Sequence, residues 1–131
     1  MNKQQVKMAY ACALSRLEEL GAGGPAILGA GGSLVMHGLR EETSDLDLEI
    51  AEEAWDALVA QGAEIREDYG VKIIALNGHT DLHELTQESA KGCCIVEGVL
   101  VQNLHAVLRL KQRLDRPKDQ ADIAKIIAHL R

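Results

Sequence analysis

The fold of this chain is decided by residues 31–48, which read GGSLVMHGLREETSDLDL. Two glycines precede a short apolar segment that predicts a helix over residues 33–39. Glycine lets an anion approach the backbone closely, and the free N–H groups at a helix start attract phosphate. Gly31, Gly32 and Ser33 are therefore candidate phosphate-binding residues.

Two aspartates follow this turn on a segment that alternates acidic and apolar residues. The alternation over residues 45–50 predicts a strand with one wet face. Positions i and i+2 of a strand face the same way, so Asp45 and Asp47 project together. Carboxylates so close repel unless a cation compensates, and hard oxygen ligands suit Mg²⁺. Glu49 shares this face and is interpreted as a solvated residue.

A third carboxylate is expected on a neighbouring strand. Asn77-Gly78 is the strongest two-residue hairpin signal in the chain, and it returns the backbone into a strand that carries Asp81. Two metal ions about 4 Å apart, held by three such carboxylates, can clamp the attacking and leaving oxygens of a phosphoryl-type displacement. Glu84 is the reserve candidate, although it points to the opposite face of the strand.

The remaining sequence predicts an α/β domain with a mixed β-sheet flanked by helices and a helical pair at its C-terminus. Hydrophobic periodicity and glycine or proline positions set the element boundaries. The predicted helices cover residues 3–20, 33–39, 51–61, 103–114 and 118–130. The predicted strands cover residues 26–29, 45–50, 64–67, 71–76, 80–85, 93–96 and 99–102.

Composition limits the class of protein. A chain of 131 residues with 47% apolar residues fits one domain, spanning residues 1–131. The formal charge of −6, from 20 acidic and 14 basic residues, argues against sustained non-specific nucleic-acid binding. The three cysteines do not suggest a disulfide framework. With no apolar run near 18 residues and no leader, a cytoplasmic protein without a membrane segment is expected.

These motifs together resemble the nucleotidyltransferase superfamily, whose core is shared by DNA polymerase beta and small antibiotic nucleotidyltransferases. The superfamily pattern is a Gly-Gly or Gly-Ser turn, a short helix, an Asp-x-Asp pair and a lone aspartate on a later strand. The turn at 31–33, the pair Asp45 and Asp47, and Asp81 match it in that order.

Further segments are similar to small stand-alone members. His37-Gly-Leu-Arg40, followed by Thr43, resembles relatives of abortive-infection toxins. Thr80-Asp-Leu-His83 is similar to the Asp-x-His strand of lincosamide nucleotidyltransferases. The tail from Lys111 to Asp122, with Lys118 and Asp119 inside it, resembles the closing Lys…Lys-Asp-x-x-Asp of small members.

The resemblance implies a minimal nucleotidyltransferase fold and a metal-dependent reaction. A nucleoside monophosphate would move from an NTP to an acceptor hydroxyl, with release of pyrophosphate. Asp45, Asp47 and Asp81 would hold Mg²⁺ or Mn²⁺, and Asp81 would also help to deprotonate the acceptor. The residues implied to bind the nucleotide are Gly31, Gly32, Ser33, Arg40, Lys111 and Lys118.

The acceptor stays open, because no acceptor-binding domain is recognisable beyond the core. It could be a small molecule, a protein or an RNA end. Two other functions retain the same motifs: a catalytically inactive nucleotide- or partner-binding module, and the nucleotidyltransferase-like half of a toxin–antitoxin pair. Apolar residues on the first helix (Met8, Cys12, Leu20) and the stripe at 123–130 favour a homodimer or a protein partner.

Several residues also have simpler interpretations. Gly29-Ala-Gly-Gly resembles a dinucleotide fingerprint, but the helix that follows is too short for that crossover. His79 and His83 have helical zinc spacing, yet on a strand they lie about 13 Å apart. Arg40, Lys111 and Lys118 could be exposed helix-end cations, and Asp119 and Asp122 could cap and solvate the last helix.

Overall fold

The computed structural model describes all 131 residues. The seven strands are β1 (Ala26–Gly29), β2 (Leu46–Ile50), β3 (Arg66–Asp68), β4 (Val71–Asn77), β5 (Thr80–Glu84), β6 (Cys93–Val96) and β7 (Val99–Gln102). The six α-helices are α1 (Lys3–Glu19), α2 (Ala30–Met36), α3 (Glu52–Ala60), α4 (Gln87–Lys91), α5 (Leu104–Leu114) and α6 (Gln120–Leu130), with a 3₁₀ turn at Pro117–Asp119. None of these helices combines the length and the apolar character that a membrane crossing requires.

All seven strands join one mixed sheet in the order β3-β4-β5-β2-β1-β7-β6. The pairs β2–β5 and β1–β7 are parallel, and the other neighbours are antiparallel. The parallel register of β2 and β5 places Asp47 directly opposite Asp81, and Gly29 lies opposite Asp47 on the other side. The pairing therefore gathers two acidic positions and the end of β1 at the centre of the sheet.

Two apolar clusters hold the helices in place. Leu46, Leu48 and Ile50 of β2 are fully buried in the larger cluster, which packs α1 and α3 against one face of the sheet. Trp55 of α3 lies in this cluster. A smaller cluster joins α2 to α5 and α6 through Leu34, Leu104, Val107 and Ile126. The alternate, polar side chains of β2 and β5 are left facing the other side of the sheet.

The predicted α/β class, the mixed sheet and the C-terminal helical pair are confirmed, with differences at three elements. Helix α2 begins at Ala30 rather than Ser33, because the glycines belong to its first turn. A Cβ at Gly32 would stand 2.7 Å from a Leu28 methyl, so any side chain there would force Leu28 to shift. Helix α4 was not expected, and the predicted last helix divides into the 3₁₀ turn and α6.

Candidate active site

The polar face of the sheet forms the floor of a cleft of about 1170 Å³. Its walls are the β1–α2 turn, the loop before β2, the β3–β4 hairpin and the segment that joins α5 to α6. Eight of the chain's 14 basic residues line the cleft beside eight acidic ones, so the cleft is balanced in a chain of charge −6. The basic residues are Arg40, Arg66, Lys72, Lys111, Arg113, Arg116, Lys118 and Lys125.

The three expected carboxylates converge on this floor. Asp47 and Asp81 face each other across paired strands, and Asp45 lies one residue before β2. Each strand carboxylate has a partner: the distance from Asp47 Oδ1 to His83 Nε2 is 2.8 Å, and Arg66 donates to Asp81 Oδ2 at 3.0 Å. No three acidic, His or Cys side chains are arranged to enclose a metal ion. The oxygen donors suit a hard divalent cation, but two of them are turned to protein partners.

Asp45 is the carboxylate that most needs a counter-charge, because it forms no ion pair. Loss of water contact raises its pKa above the ordinary value, and the charges of Asp47 and Asp81 raise it further. The cationic groups of Lys118 and Arg40 act in the opposite direction without cancelling the shift. A cation or a bound donor at this edge would therefore relieve unfavourable charge.

His83 lies on the carboxylate face of the sheet and contacts Asp47 directly. Burial acts to lower the pKa of its imidazole, but the hydrogen bond with Asp47 and the neighbouring carboxylates outweigh burial and raise it. Its Nδ1 is buried without a hydrogen-bond partner. His79 sits in the β4–β5 turn and contacts Thr80, so the two histidines do not share a ligand site.

The glycine turn serves packing as well as access to the cleft. Gly31 lines the cleft, and a Cβ there would stand 2.6 Å from an Arg40 nitrogen and 2.7 Å from the Thr43 hydroxyl. Ala30 adopts a left-handed φ of 48°, a conformation whose strain is found at functional turns. Ser33 is 0% exposed and donates to the Gln102 carbonyl at 2.8 Å. The Ser33 hydroxyl, which was expected to be free for a phosphate, instead donates into the core, and phosphate binding by Ser33 stays a prediction.

The expectation that Glu49 is a solvated residue is corrected, because its side chain is buried. It is 7% exposed and accepts hydrogen bonds from the Thr86 N–H at 2.8 Å, the Ser89 hydroxyl at 2.5 Å and the Gln102 amide at 2.6 Å. Helix α4, which begins after Thr86, covers this carboxylate. Glu49 therefore connects β2, α4 and the end of β7 beneath the cleft.

We expect Glu49→Gln to lower the free energy of unfolding by about 1–2 kcal/mol, because one buried donor loses its acceptor. Urea denaturation followed by circular dichroism would measure the change. Glu53→Gln, on the exposed side of α3, is the matched control and should stay within about 0.5 kcal/mol of the parent. Equal stability of the two variants would contradict the proposed connecting role of Glu49.

Lys111 lines the cleft, but its side chain is buried in an ion network, and its expected contact with the nucleotide stays a prediction. It is 5% exposed, and its ammonium lies 3.2 Å from Asp119 and 3.3 Å from Asp122. Asp119 is 1% exposed and accepts two hydrogen bonds from Arg116, at 2.8 and 3.1 Å. Burial acts to raise the Asp119 pKa, but these cations outweigh it and lower the pKa. The tail motif is thus a buried ion network between α5 and α6, which corrects the solvated interpretation of Asp119.

Arg40 and Lys118 remain the cations that face the cleft beside Asp45. Arg40 is half-buried and lies 3.6 Å from Asp122, whereas Lys118 is exposed and has no ion pair. Both act on the pKa of Asp45, which places their charges near the first carboxylate. Nucleotide binding by Arg40 and Lys118 stays a prediction.

Several cleft residues were not singled out as site residues from the sequence, among them Arg66, Tyr69 and Arg116. Tyr69 could have been singled out from the sequence, because it stands in a hairpin turn at a position where asparagine or glycine is favoured. Nothing in the sequence distinguished Arg66 or Arg116 from the other arginines. Only the folded chain brings Arg66 to the carboxylates and Arg116 to the hairpin tip.

Comparison with known proteins identifies the fold. No protein-family model matches the sequence, and no curated protein does so. Among solved structures, a candidate nucleotidyltransferase of Thermotoga maritima (TM1012) superposes with a TM-score of 0.61 at 12% identity, over 98% of this chain and 96% of that one. ANT(2″)-Ia, in complex with adenylyl-2″-tobramycin, superposes with a TM-score of 0.60 at 14% identity, over 98% of this chain and 90% of that one. The chain has the nucleotidyltransferase fold.

Proposed function

We propose that this chain is a metal-dependent nucleotidyltransferase. The observation that carries the proposal is the meeting of Asp47 and Asp81 across paired strands, with Asp45 beside them, on the floor of a cleft that eight basic and eight acidic residues line. Three carboxylates gathered at one place do not stabilise the fold, and the raised pKa of Asp45 reflects the unfavourable free energy of a negative charge there. The nucleotidyltransferase fold is consistent with this chemistry, although fold alone does not define function.

In the proposed reaction, an acceptor hydroxyl attacks the α-phosphorus of an NTP. A new P–O bond forms, the α–β phosphoanhydride bond breaks, and pyrophosphate leaves. Asp45, Asp47 and Asp81 would hold Mg²⁺ or Mn²⁺, and the bound metal supplies charge neutralisation at the phosphates. Asp81 would accept the hydroxyl proton, while Arg40 and Lys118 would hold the triphosphate beside the Gly31–Gly32 turn. Catalysis of this kind is mostly positioning and electrostatics.

A second function, a nucleotide-binding module without transfer, is favoured by one observation. His83 contacts the Asp47 carboxylate and Arg66 contacts the Asp81 carboxylate. No group of three His, Cys, Asp or Glu side chains is arranged to hold a metal ion. If these contacts persist in the nucleotide complex, the chain would bind an NTP and leave it intact. A nucleotidyltransferase-like half of a toxin–antitoxin pair would use the same site on a protein acceptor.

The deciding experiment uses each of the four NTPs, labelled at either the α- or the γ-phosphorus, with Mg²⁺, with and without cell lysate. Transfer moves the α-label to an acceptor and releases the γ-label as pyrophosphate. A labelled small molecule, protein or RNA would also define the acceptor class. Appearance of γ-label on an acceptor would overturn nucleotidyl transfer in favour of phosphoryl transfer. NTP binding without any transfer would support the binding module.

We also propose that the chain works as a homodimer or with a protein partner. Met8 of α1 and Ile95 of the edge strand β6 are 60% and 73% exposed, and Leu130 is partly exposed on α6. Exposed apolar side chains of this size are typical of interfaces when they are contiguous. Light scattering at micromolar concentration tests this, and a strictly monomeric protein that transfers nucleotide unaided would contradict it.

A further inference from the structure

Tyr69 is the only aromatic side chain that this protein exposes. The chain contains one tryptophan, two tyrosines and no phenylalanine. Tyr10 and Trp55 lie in the core, whereas Tyr69 is 63% exposed at the tip of the β3–β4 hairpin and lines the cleft. The protein therefore places its one accessible ring at the candidate active site.

The backbone at Tyr69 disfavours a tyrosine. Tyr69 and Gly70 form the two-residue loop of the hairpin, with φ angles of 51° and 76°. Positive φ at both positions is the signature of a turn that prefers asparagine followed by glycine. A large side chain there is strained, and strain of this kind collects at binding and catalytic sites. The requirements of the turn therefore do not explain why a tyrosine stands at position 69.

Arg116 stands over the Tyr69 ring from the opposite wall of the cleft. Its guanidinium carbon lies 5.7 Å from the ring centroid. The guanidinium is held by two hydrogen bonds to Asp119, a carboxylate that the buried Lys111 ammonium also holds. These hydrogen bonds fix the position of the guanidinium, and the Asp119 carboxylate compensates its charge. A fixed, partnered guanidinium beside a ring suits a flat, uncharged group better than a phosphate.

We propose that Tyr69 and Arg116 form a subsite for a planar heteroaromatic ring, which is the base of the NTP in the proposed function on which this inference rests. The triphosphate lies at the Gly31, Arg40 and Lys118 end of the cleft. The base extends past the carboxylates to the hairpin tip. Stacking on an aromatic face and on a guanidinium plane accepts any base, because every base has a π face.

The test compares binding of ATP and of inorganic tripolyphosphate, each with Mg²⁺, by isothermal titration calorimetry. Tyr69→Asn removes the ring and suits the turn, so the variant should fold, as circular dichroism can verify. It should bind ATP about tenfold more weakly and tripolyphosphate as the parent does. Tyr69→Phe keeps the ring and should retain ATP affinity within about twofold, since stacking needs no hydroxyl. Val59→Asn, at an exposed apolar residue of α3 outside the cleft, is the matched control.

The outcomes separate this inference from the proposed function. Unchanged ATP affinity in Tyr69→Asn would overturn the base subsite while nucleotide binding stands, even if transfer to an aromatic acceptor falls. Equal weakening of ATP and tripolyphosphate would also overturn it, because the hairpin would then act on the phosphates. A parent protein that binds neither ligand would contradict the nucleotide site itself, and the subsite with it.

Discussion

Asp45→Asn is expected to lower nucleotidyl transfer by at least about a hundredfold while leaving the fold intact. The variant keeps the shape of the side chain but removes an anionic oxygen from the group proposed to hold the metal. Loss of one electrostatic contact in a preorganised site commonly costs about 10²–10³ in rate. The measurement is the initial rate of α-label transfer to the acceptor found with the parent protein.

The same substitution should stabilise the metal-free protein. Burial and the charges of Asp47 and Asp81 raise the pKa of Asp45, so the folded chain holds its proton more tightly than the unfolded chain does. A carboxyl with a raised folded-state pKa loses stability as pH rises from its unfolded to its folded pKa. The Asp45→Asn variant has no ionisable carboxyl at this position, so its stability does not fall in this way as pH rises. Urea denaturation in EDTA should therefore show a stability gain near neutral pH that shrinks in acid.

Asp56→Asn is the matched control, since Asp56 is exposed on α3 and does not line the cleft. It should leave both transfer and stability near the parent values. Full activity in Asp45→Asn would remove Asp45 from the metal site. Lost activity together with lower stability would indicate a structural role for the carboxylate instead.

The sequence predicted the centre of this fold because two local patterns specify it. Alternation in β2 buries Leu46 and Leu48, so Asp47 must face the opposite side. A parallel partner then brings Asp81 level with Asp47, and the hairpin signal at Asn77-Gly78 marked that strand correctly. The convergence of the acidic residues follows from periodicity and topology together, which is why it could be expected.

The supporting polar network could not be predicted, because periodicity assigns a face but not what covers it. Glu49 lies on the same face of β2 as Asp47, but the five-residue helix α4 and Gln102 of β7 give it a different environment. So short a helix has little periodicity to detect. Ser33 differs for a similar reason, since its hydroxyl reaches the carbonyl of Gln102, 69 residues further along the chain. Contacts of this range depend on the assembled sheet.

The ion network at the C-terminus leads to the largest stability effect. Lys111 carries its charge into a site where it is 5% exposed, between the carboxylates of Asp119 and Asp122. Removing one member of a buried ion pair typically costs about 3–5 kcal/mol, because the remaining charge is left without compensation. Arg116 still partners Asp119, so Lys111→Met should lower the free energy of unfolding by about 3 kcal/mol.

That loss is a large fraction of the roughly 5–15 kcal/mol by which a domain is stable, and urea denaturation would resolve it. Lys125→Met is the matched control on α6, because Lys125 is exposed and has no ion pair, and it should change stability by less than about 0.5 kcal/mol. Adding Asp122→Asn to Lys111→Met should restore part of the loss, since the carboxylate left with only Arg40 at 3.6 Å becomes neutral. A double variant no more stable than Lys111→Met would show that the packing of the lysine stem, rather than its charge, holds α5 to α6.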